Sequence, residues 1–198
     1  SEEGHREIIG LRVTHGESED SWSNFFDHLK SRGIQSPKMV ISDAHAGLVA
    51  AIKESFLGTS WQRCCVHFLR NIMDSFPKKN SSEAKTELKE IFRTSNIKLS
   101  RELKRDFIEK YYEVKGFTKV IETLDAGFED AMQFHSQKAE LHKHLRTTNM
   151  LERVNREIRR RERVIQIFPN DQSAIRIIGS VLMKMEEEWS KSKYIHHI

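Results

Sequence analysis

Several features that would assign this sequence to a common class of protein are missing. It contains two cysteines in 198 residues, and these are the neighbours Cys64 and Cys65, which are poorly placed to form the disulfide framework of a small secreted protein. No apolar run approaches the roughly 18 residues that a membrane span needs, and the first residues lack the apolar core of a secretory signal. The sequence therefore predicts a cytoplasmic protein that does not enter a membrane.

Glycine-rich phosphate loops are also missing. Gly47 and Gly58 are isolated, and neither the P-loop nor the dinucleotide-binding fingerprint is present. What the sequence does contain is a local excess of positive charge. From Glu152 to Arg163 there are six arginines against three glutamates, in a chain whose formal net charge is +4. Because clustered arginines bind phosphates, this segment favours an anionic partner such as a nucleic acid.

The first part of the chain alternates between the apolar patterns of strands and helices. Period-two spacing predicts a strand over residues 6–14, and helical spacing predicts a helix from Ser18 to Arg32. A brief apolar run at residues 39–41 predicts a buried strand, which is followed by a helix through Leu48, Val49, Ile52 and Phe56 and by a short strand at residues 61–65. Strands that alternate with helices are typical of an α/β layer.

The middle of the chain has a different character. Residues 81–144 show only helical spacings, which predicts an all-helical block. Two further helices are expected at residues 149–163 and 173–190, with no new strand, and Pro77 with the polar residues after it marks a boundary. The predicted organisation is an α/β part over residues 1–75, an all-α insertion over residues 76–145, and two helices that complete the core over residues 146–198.

A candidate metal ligand, Asp43, follows the buried strand at residues 39–41. In open α/β folds a carboxylate in this position projects beyond the carboxyl edge of the sheet, where it could hold a divalent metal. The alternative is structural, because Ser42 and Asp43 are both residue types that cap the start of a helix. The residue alone does not decide between the two interpretations.

A second candidate, Glu152, lies at the start of the arginine-rich helix. Glu152, Arg156 and Arg159 share one helical face with Arg163, a concentration of like charge that a bound phosphate chain would neutralise. Two structural alternatives stay open: Asn149 caps the helix while Glu152 folds back or pairs with Arg156, or the arginines form a solvated face. A carboxylate that holds a metal, beside cations that hold phosphates, is what chemistry on a nucleic-acid backbone requires.

Cys64 and His67 have the spacing of a Cys-x-x-His metal motif. A closed zinc site needs four ligands, and the sequence has no second Cys/His pair, although His45 or His135 could complete a site through the fold. Nothing near Cys64 in the sequence marks it as a nucleophile. Zinc is therefore not expected, and both residues are expected to be polar groups near the core.

Six motifs occur in a fixed order along the chain. They are Arg6-Glu7-Ile8-Ile9-Gly10-Leu11, Glu17-Ser18 with Trp22, Leu29-Lys30-Ser31-Arg32-Gly33, Ile41-Ser42-Asp43-Ala44-His45-Ala46-Gly47-Leu48, Gln62-Arg63-Cys64-Cys65-Val66-His67-Phe68-Leu69-Arg70-Asn71, and the stretch from Thr147-Thr148-Asn149 through Ile167-Phe168-Pro169-Asn170. In this order and spacing they resemble the Mutator-type transposases of bacterial insertion sequences, and the resemblance runs nearly end to end. It implies a ribonuclease H-like fold with a helical insertion between the last strand and the final catalytic helix.

The resemblance also implies roles for individual residues. In that family two aspartates and a glutamate bind two magnesium ions, for which manganese can substitute, and the site cuts and joins DNA. The motifs place the second aspartate at Asp43 and the glutamate at Glu152. Cys64, His67 and Asn149 are then expected to support the site. The residues expected to contact DNA phosphates are Arg153, Arg156, Arg159 and Arg160.

The same resemblance limits the activity expected of this chain. The family's first aspartate belongs to a strand that would precede Arg6, so the sequence predicts the C-terminal portion of a longer transposase that is inactive alone. The full-length protein is expected to form homo-oligomers and to bind transposon ends and target DNA in the bacterial nucleoid. Two other functions stay open: a non-catalytic DNA-binding or dimerising remnant, and a helical interaction module that uses residues 81–144.

Overall fold

The computed structural model describes residues 4–14, 16–165 and 167–195, and most of these residues are helical. The helices are α1 (Glu19–Ser31), α2 (Ala46–Ser55), α3 (Cys65–Asp74), α4 (Ser82–Arg93), α5 (Ile97–Tyr111), α6 (Thr118–Ala131), α7 (His142–Leu145), α8 (Asn149–Ile165) and α9 (Asp171–Ser190). Two strands, β1 (Met39–Ser42) and β2 (Ser60–Arg63), and two 3-10 turns, Gln133–Ser136 and Ala139–Leu141, complete the described part. None of its helices is both long enough and apolar enough to cross a bilayer.

The two strands form a parallel sheet in which Met39 pairs with Ser60 and Ser42 pairs with Arg63. Both strands were expected from their short apolar runs, and the chain between them contains the expected helix α2. In a parallel pair the carboxyl ends of both strands lie at the same edge. Residues that follow Ser42 and Arg63 in the chain therefore start from neighbouring positions.

The strand predicted over residues 6–14 is wrong, because the described residues of this segment form no strand. Its backbone is bonded to side chains instead: Ile8 N–H donates to Oε1 of Glu186 at 2.9 Å, and the Arg32 guanidinium donates to the carbonyl of Ile9. A strand needs a neighbouring backbone to form its ladder. The period-two pattern shows which residues can alternate in burial, but it does not supply that neighbour.

The described chain divides into two compact units made of non-contiguous segments. The first unit contains the segments up to Lys38, from His45 to Thr59 and from Thr148 onward, and the second contains Met39–Ala44 and Ser60–Thr147. The boundaries expected near residues 76 and 146 divide the chain by sequence order alone. They stay a prediction about domains.

The second unit has one continuous apolar core. Phe68 of α3 packs edge to face on Phe92, with ring centroids 5.8 Å apart, and Phe92 packs in turn on Phe128 of α6. The fully enclosed residues around these rings are Ile72, Leu88, Ile91, Val120 and Leu124. The residues from α4 to α7 contain no strand, which confirms the all-helical block.

The first unit contains smaller apolar contacts. Ser18 caps α1 by accepting a hydrogen bond from Ser21 N–H at 3.2 Å, and two acidic residues in the first turn of α1 favour its positive end. Phe26 of α1 packs on Phe56, just after α2, with ring centroids 5.1 Å apart. Val154 is the buried residue of α8. These contacts form where the sequence predicts helices with one apolar face.

Candidate functional site

Asp43 follows β1 directly, and its side chain is exposed. The residue before it, Ser42, is buried and held in two ways: its carbonyl accepts from Cys64 N–H at 2.7 Å, and its hydroxyl accepts from the Trp61 indole N–H at 2.9 Å. The Ser42 hydroxyl in turn donates to the carbonyl of Asp43 at 2.7 Å. The exposed carboxylate therefore extends from a fixed backbone at the carboxyl edge of the sheet.

The capping alternative for Asp43 is wrong. The residue that caps α2 is His45, whose Nδ1 accepts a hydrogen bond from Leu48 N–H at 3.4 Å. A helix needs its cap immediately before the first helical residue, and Ser42 and Asp43 lie too far upstream. Asp43 therefore has no capping role that accounts for its presence at the strand end.

The two cysteines lie where β2 is followed by α3, with Cys64 between the two elements and Cys65 as the first residue of the helix. Cys64 is fully buried and precedes the first residue of α3, and neither cysteine forms a disulfide. Burial raises the pKa of the Cys65 thiol to about 11, so this thiol keeps its proton at neutral pH and donates it to the carbonyl of Ala131 at 3.1 Å. Cys65 is thus a structural hydrogen-bond donor, because metals and electrophiles react with thiolates.

His67 is half-buried on α3. Within either unit, no three of the described His, Cys, Asp and Glu residues form a group that could hold a metal ion. The supporting role of Cys64 and His67 stays a prediction. One contact agrees with a supporting role for Cys64: its N–H donates a hydrogen bond to the carbonyl of Ser42, the residue directly before Asp43.

The start of α3 is also hydrogen-bonded to Arg146, which is distant in the sequence. Cys65 N–H donates to the carbonyl of Arg146 at 2.9 Å, and the Arg146 guanidinium donates to the carbonyl of Phe92 and lies over the ring of Phe134. In the second unit, the end of β1, the start of α3 and Arg146 are therefore joined by backbone hydrogen bonds. The sequence did not show this connection, because its partners are far apart in the chain.

Glu152 lies in the first turn of α8, where its charge is favoured by the helix dipole. Its N–H donates to the carbonyl of Thr148 at 3.0 Å, and its side chain is half-buried. Because α8 begins at Asn149, the helix starts one residue earlier than a cap at Asn149 would require. The alternative in which Asn149 caps α8 is therefore wrong. A supporting role for Asn149 at the site stays a prediction.

The arginines of α8 form an exposed basic face. All six arginines between residues 153 and 163 are exposed. Arg160 approaches Glu157, with Nη1 and Oε2 3.8 Å apart and both side chains exposed, which contributes little to stability. Arg156 has no ion pair among the residues that the structure describes, so the pair with Glu152 that was weighed as an alternative does not form.

The predicted carboxylates lie in different units. Asp43 belongs to the second unit, with Cys64 and His67, and Glu152 belongs to the first unit, with the basic face. The structure thus brings Asp43 together with the Cys64 turn, and it places Glu152 on the same helix as the four arginines predicted to bind DNA. The pairing of Asp43 with Glu152 stays a prediction.

Comparison with known proteins gives one consistent result. The family described as "Transposase, Mutator family" matches residues 1–192. The chain is 50% identical over 198 residues to the transposase for insertion sequence element IS256 in transposon Tn4001 of Staphylococcus aureus, covering 99% of this chain and 50% of the relative. It is 36% identical over 196 residues to the transposase for IS1081 of Mycobacterium tuberculosis, covering 96% and 46%.

A third relative is the transposase for ISRM5 of Rhizobium meliloti, which is 35% identical over 195 residues, covering 98% of this chain and 48% of the relative. The chain thus spans about half the length of the curated relatives it matches. The family match covers both units and every motif on which the resemblance was based. The chain belongs to the Mutator family of transposases.

Proposed function

We propose that this chain forms part of the catalytic domain of a DDE-type DNA transposase, which cuts and joins DNA strands during transposition of an insertion sequence. The observation that carries the proposal is the family membership, together with an exposed aspartate at the carboxyl edge of a parallel sheet. In this proposal Asp43 and Glu152 are two of the three catalytic carboxylates. The fold is then a ribonuclease H-like core with a helical insertion.

Hydrogen bonds within the second unit hold the backbone beside Asp43. The residue before Asp43 is bonded to Cys64, and the next residue, Cys65, is bonded to Arg146. Helix α8 begins three residues after Arg146, at Asn149, and carries Glu152 in its first turn. That Asp43 and Glu152 share one site is part of the proposal.

The residues fit a hard divalent cation. Carboxylate oxygens are the ligands that Mg²⁺ and Mn²⁺ prefer, and Asp43 is exposed and is not used as a helix cap. When bound, two such ions would activate water and stabilise charge on the phosphodiester.

The basic face of α8 would hold the DNA. Arg153, Arg156, Arg159 and Arg160 extend outward from the helix that carries Glu152, and guanidinium groups bind phosphates in two-point contacts. Contacts of this kind position DNA without reading its sequence. We therefore expect binding with little sequence preference and with an affinity that falls steeply as salt rises.

The test uses a chimera, because the chain spans about half the length of the relative that it replaces in part. The matching 198 residues of the Staphylococcus aureus relative are replaced by this chain, and cleavage at transposon ends is measured in magnesium and in manganese. We expect Asp43→Asn and Glu152→Gln each to lower cleavage on the order of a hundredfold or more while DNA binding persists. Asp27→Asn, which alters an exposed carboxylate on α1, is the matched control.

The outcomes separate the possible functions. Loss of cleavage in both carboxylate variants but not in the control supports the proposal, whereas full cleavage by either variant contradicts it. DNA binding by the chimera without any cleavage favours a non-catalytic DNA-binding or dimerising role. If the chain alone has no DNA affinity, and if replacing the six arginines of α8 changes nothing, the helical interaction module is the better description.

A further inference from the structure

Arg63 is the last residue of β2 and pairs with Ser42, the residue before Asp43. Its backbone therefore lies at the edge of the sheet from which Asp43 extends. The sequence pattern assigns Arg63 no role of its own, because Arg63 occurs there only as a member of the motif around Cys64. Its surroundings in the second unit assign it one.

The Arg63 guanidinium is held in place by two neighbours. Its central carbon lies over the ring of Phe68, 4.2 Å from the centroid, and one of its terminal nitrogens lies against the backbone of Gly127 in α6. A Cβ at Gly127 would collide with this nitrogen and would lie 2.6 Å from the Phe68 ring. The guanidinium therefore occupies the space that a side chain at residue 127 would fill.

This contact accounts for a glycine that the helix itself does not favour. Gly127 lies inside α6 and does not have a positive φ, so its backbone conformation does not require glycine. Glycine in a helix interior costs roughly 1 kcal/mol relative to alanine. The space that Gly127 leaves for Arg63 is the structural reason for accepting that cost.

The charge of Arg63 is only partly offset by the residues that the structure describes. Its guanidinium forms no ion pair and donates no hydrogen bond among them, and none of its nitrogens is enclosed without a partner. Burial lowers the pKa of Arg63, and Asp130 opposes this effect without forming an ion pair. A half-buried guanidinium fixed on one face, with its donors open on the other, is prepared to bind an anion.

We infer that Arg63 binds a backbone phosphate of the DNA strand at the sheet edge beside Asp43, and that Gly127 and Phe68 position its guanidinium for this contact. The inference rests on the proposed function and adds a phosphate site in the second unit, separate from the arginines of α8. A planar guanidinium contacts two phosphate oxygens at once, so the site would fix both the position and the orientation of the strand.

The test measures how DNA binding depends on salt. The chain is titrated against a short labelled duplex of mixed sequence at several salt concentrations, and the slope of log affinity against log salt is determined. We expect Arg63→Gln to reduce this slope by about one, as the loss of one phosphate contact requires. Arg63→Lys should keep the slope and lose part of the affinity, because lysine keeps the charge without the two-point contact.

Two further variants separate binding from folding. Arg101→Gln removes the same charge from an arginine that is already paired with Glu129, so the slope should stay unchanged. Gly127→Ala keeps every charge but displaces the guanidinium, so it should reduce the slope as Arg63→Gln does, with no further loss in the double variant. If Gly127→Ala does not fold, the Gln and Lys variants at residue 63, checked by thermal melting, still decide the question.

The outcomes distinguish this inference from the proposed function. If the unaltered chain binds DNA and Arg63→Gln keeps the full slope, the inference is wrong and the proposed function is unaffected. If the unaltered chain does not bind DNA at all, the inference fails, and cleavage by the chimera still decides the proposed function. Inorganic phosphate is added as a competitor for DNA. If Arg63→Gln alters the inhibition by phosphate but not the affinity for DNA or its salt slope, the site binds free phosphate and the assignment to DNA is wrong.

Discussion

The two compact units differ in where their polar and charged groups find partners. In the second unit a continuous apolar core encloses Gln62, whose side-chain amide donates to the carbonyl of Ala131 at 2.8 Å and accepts from Phe134 N–H at 2.7 Å. In the first unit the arginines of α8 face outward, and Val164 and Met183 are 81% and 73% exposed. The buried polar group of the second unit therefore finds its partners inside that unit, whereas the arginines of α8 and these two apolar side chains of the first unit are exposed to solvent.

The largest effect expected from this difference is in the aromatic core. Phe128 is fully buried and packs on Phe92, so Phe128→Ala should lower the free energy of unfolding by about 3–5 kcal/mol. Leu182→Ala, at a buried position of α9 in the first unit, should cost about 2 kcal/mol, at the lower end of the range for such changes. Urea denaturation of both variants checks this, and equal losses would remove the contrast between the units.

The buried amide should give the next largest effect. Gln62→Leu leaves the carbonyl of Ala131 and the N–H of Phe134 without this partner in a closed core, which should lower stability by about 1–3 kcal/mol. Gln133→Leu is the matched control, because the amide of Gln133 donates at an exposed position. A similar loss in both variants would show that the enclosure of Gln62 has no special importance.

A smaller effect should appear in the pH dependence of the second unit. Burial lowers the pKa of His135, and the nearby charges of His142, Arg146 and Arg101 act in the same direction. The unfolded chain therefore takes up a proton first, so His135 should reduce stability as the pH falls below about 6.5. This loss continues until the pH reaches the folded-state pKa.

The comparison of His135→Gln with the unaltered chain tests this effect. Denaturation midpoints are measured at neutral and at mildly acidic pH, and the loss on acidification should be smaller in the variant. His28→Gln, which alters an exposed histidine of α1 in the first unit, is the control for removing a histidine elsewhere in the chain. An identical acid response in all three proteins would exclude His135 as its source.

The smallest effect on stability is expected on the basic face. Arg156→Gln with Arg159→Gln should change the free energy of unfolding by no more than about 0.5 kcal/mol, because both side chains are exposed. The same double variant should reduce the salt slope of DNA binding by about two. Arg93→Gln, whose arginine pairs with Glu90 in the second unit, is the control, and an equal change of slope there would show that only net charge matters.

Local patterns were enough to predict much of the fold. Helices α1 and α2 and strands β1 and β2 follow from apolar spacing over a few residues, and the density of arginine on α8 is visible in the sequence. Helix α3 was missed, although Cys65, Phe68 and Ile72 have helical spacing and are all buried, because the segment was interpreted only as a motif. The strand at residues 6–14 failed because a strand depends on a partner elsewhere.

The candidate site was less predictable, since its parts meet through tertiary contacts. Asp43 and the arginines of α8 were found from residue type and position. No pattern within one segment shows that Cys65 N–H binds the carbonyl of Arg146, or that Gly127 provides space for Arg63. Contacts of this kind join residues that are distant in the chain, and spacing along the sequence carries no information about them.

The two hydrogen bonds of Cys65 have a consequence for motion. Its thiol holds the carbonyl of Ala131, and its amide holds the carbonyl of Arg146, so one residue fastens both ends of the stretch that contains the 3-10 turns and α7. Opening of the bond to Arg146 should expose the Cys65 amide to solvent exchange, whereas opening of the thiol bond to Ala131 alone should not. The hydrogen–deuterium exchange rate of that single amide therefore serves as a reporter for loosening of the chain that leads into α8.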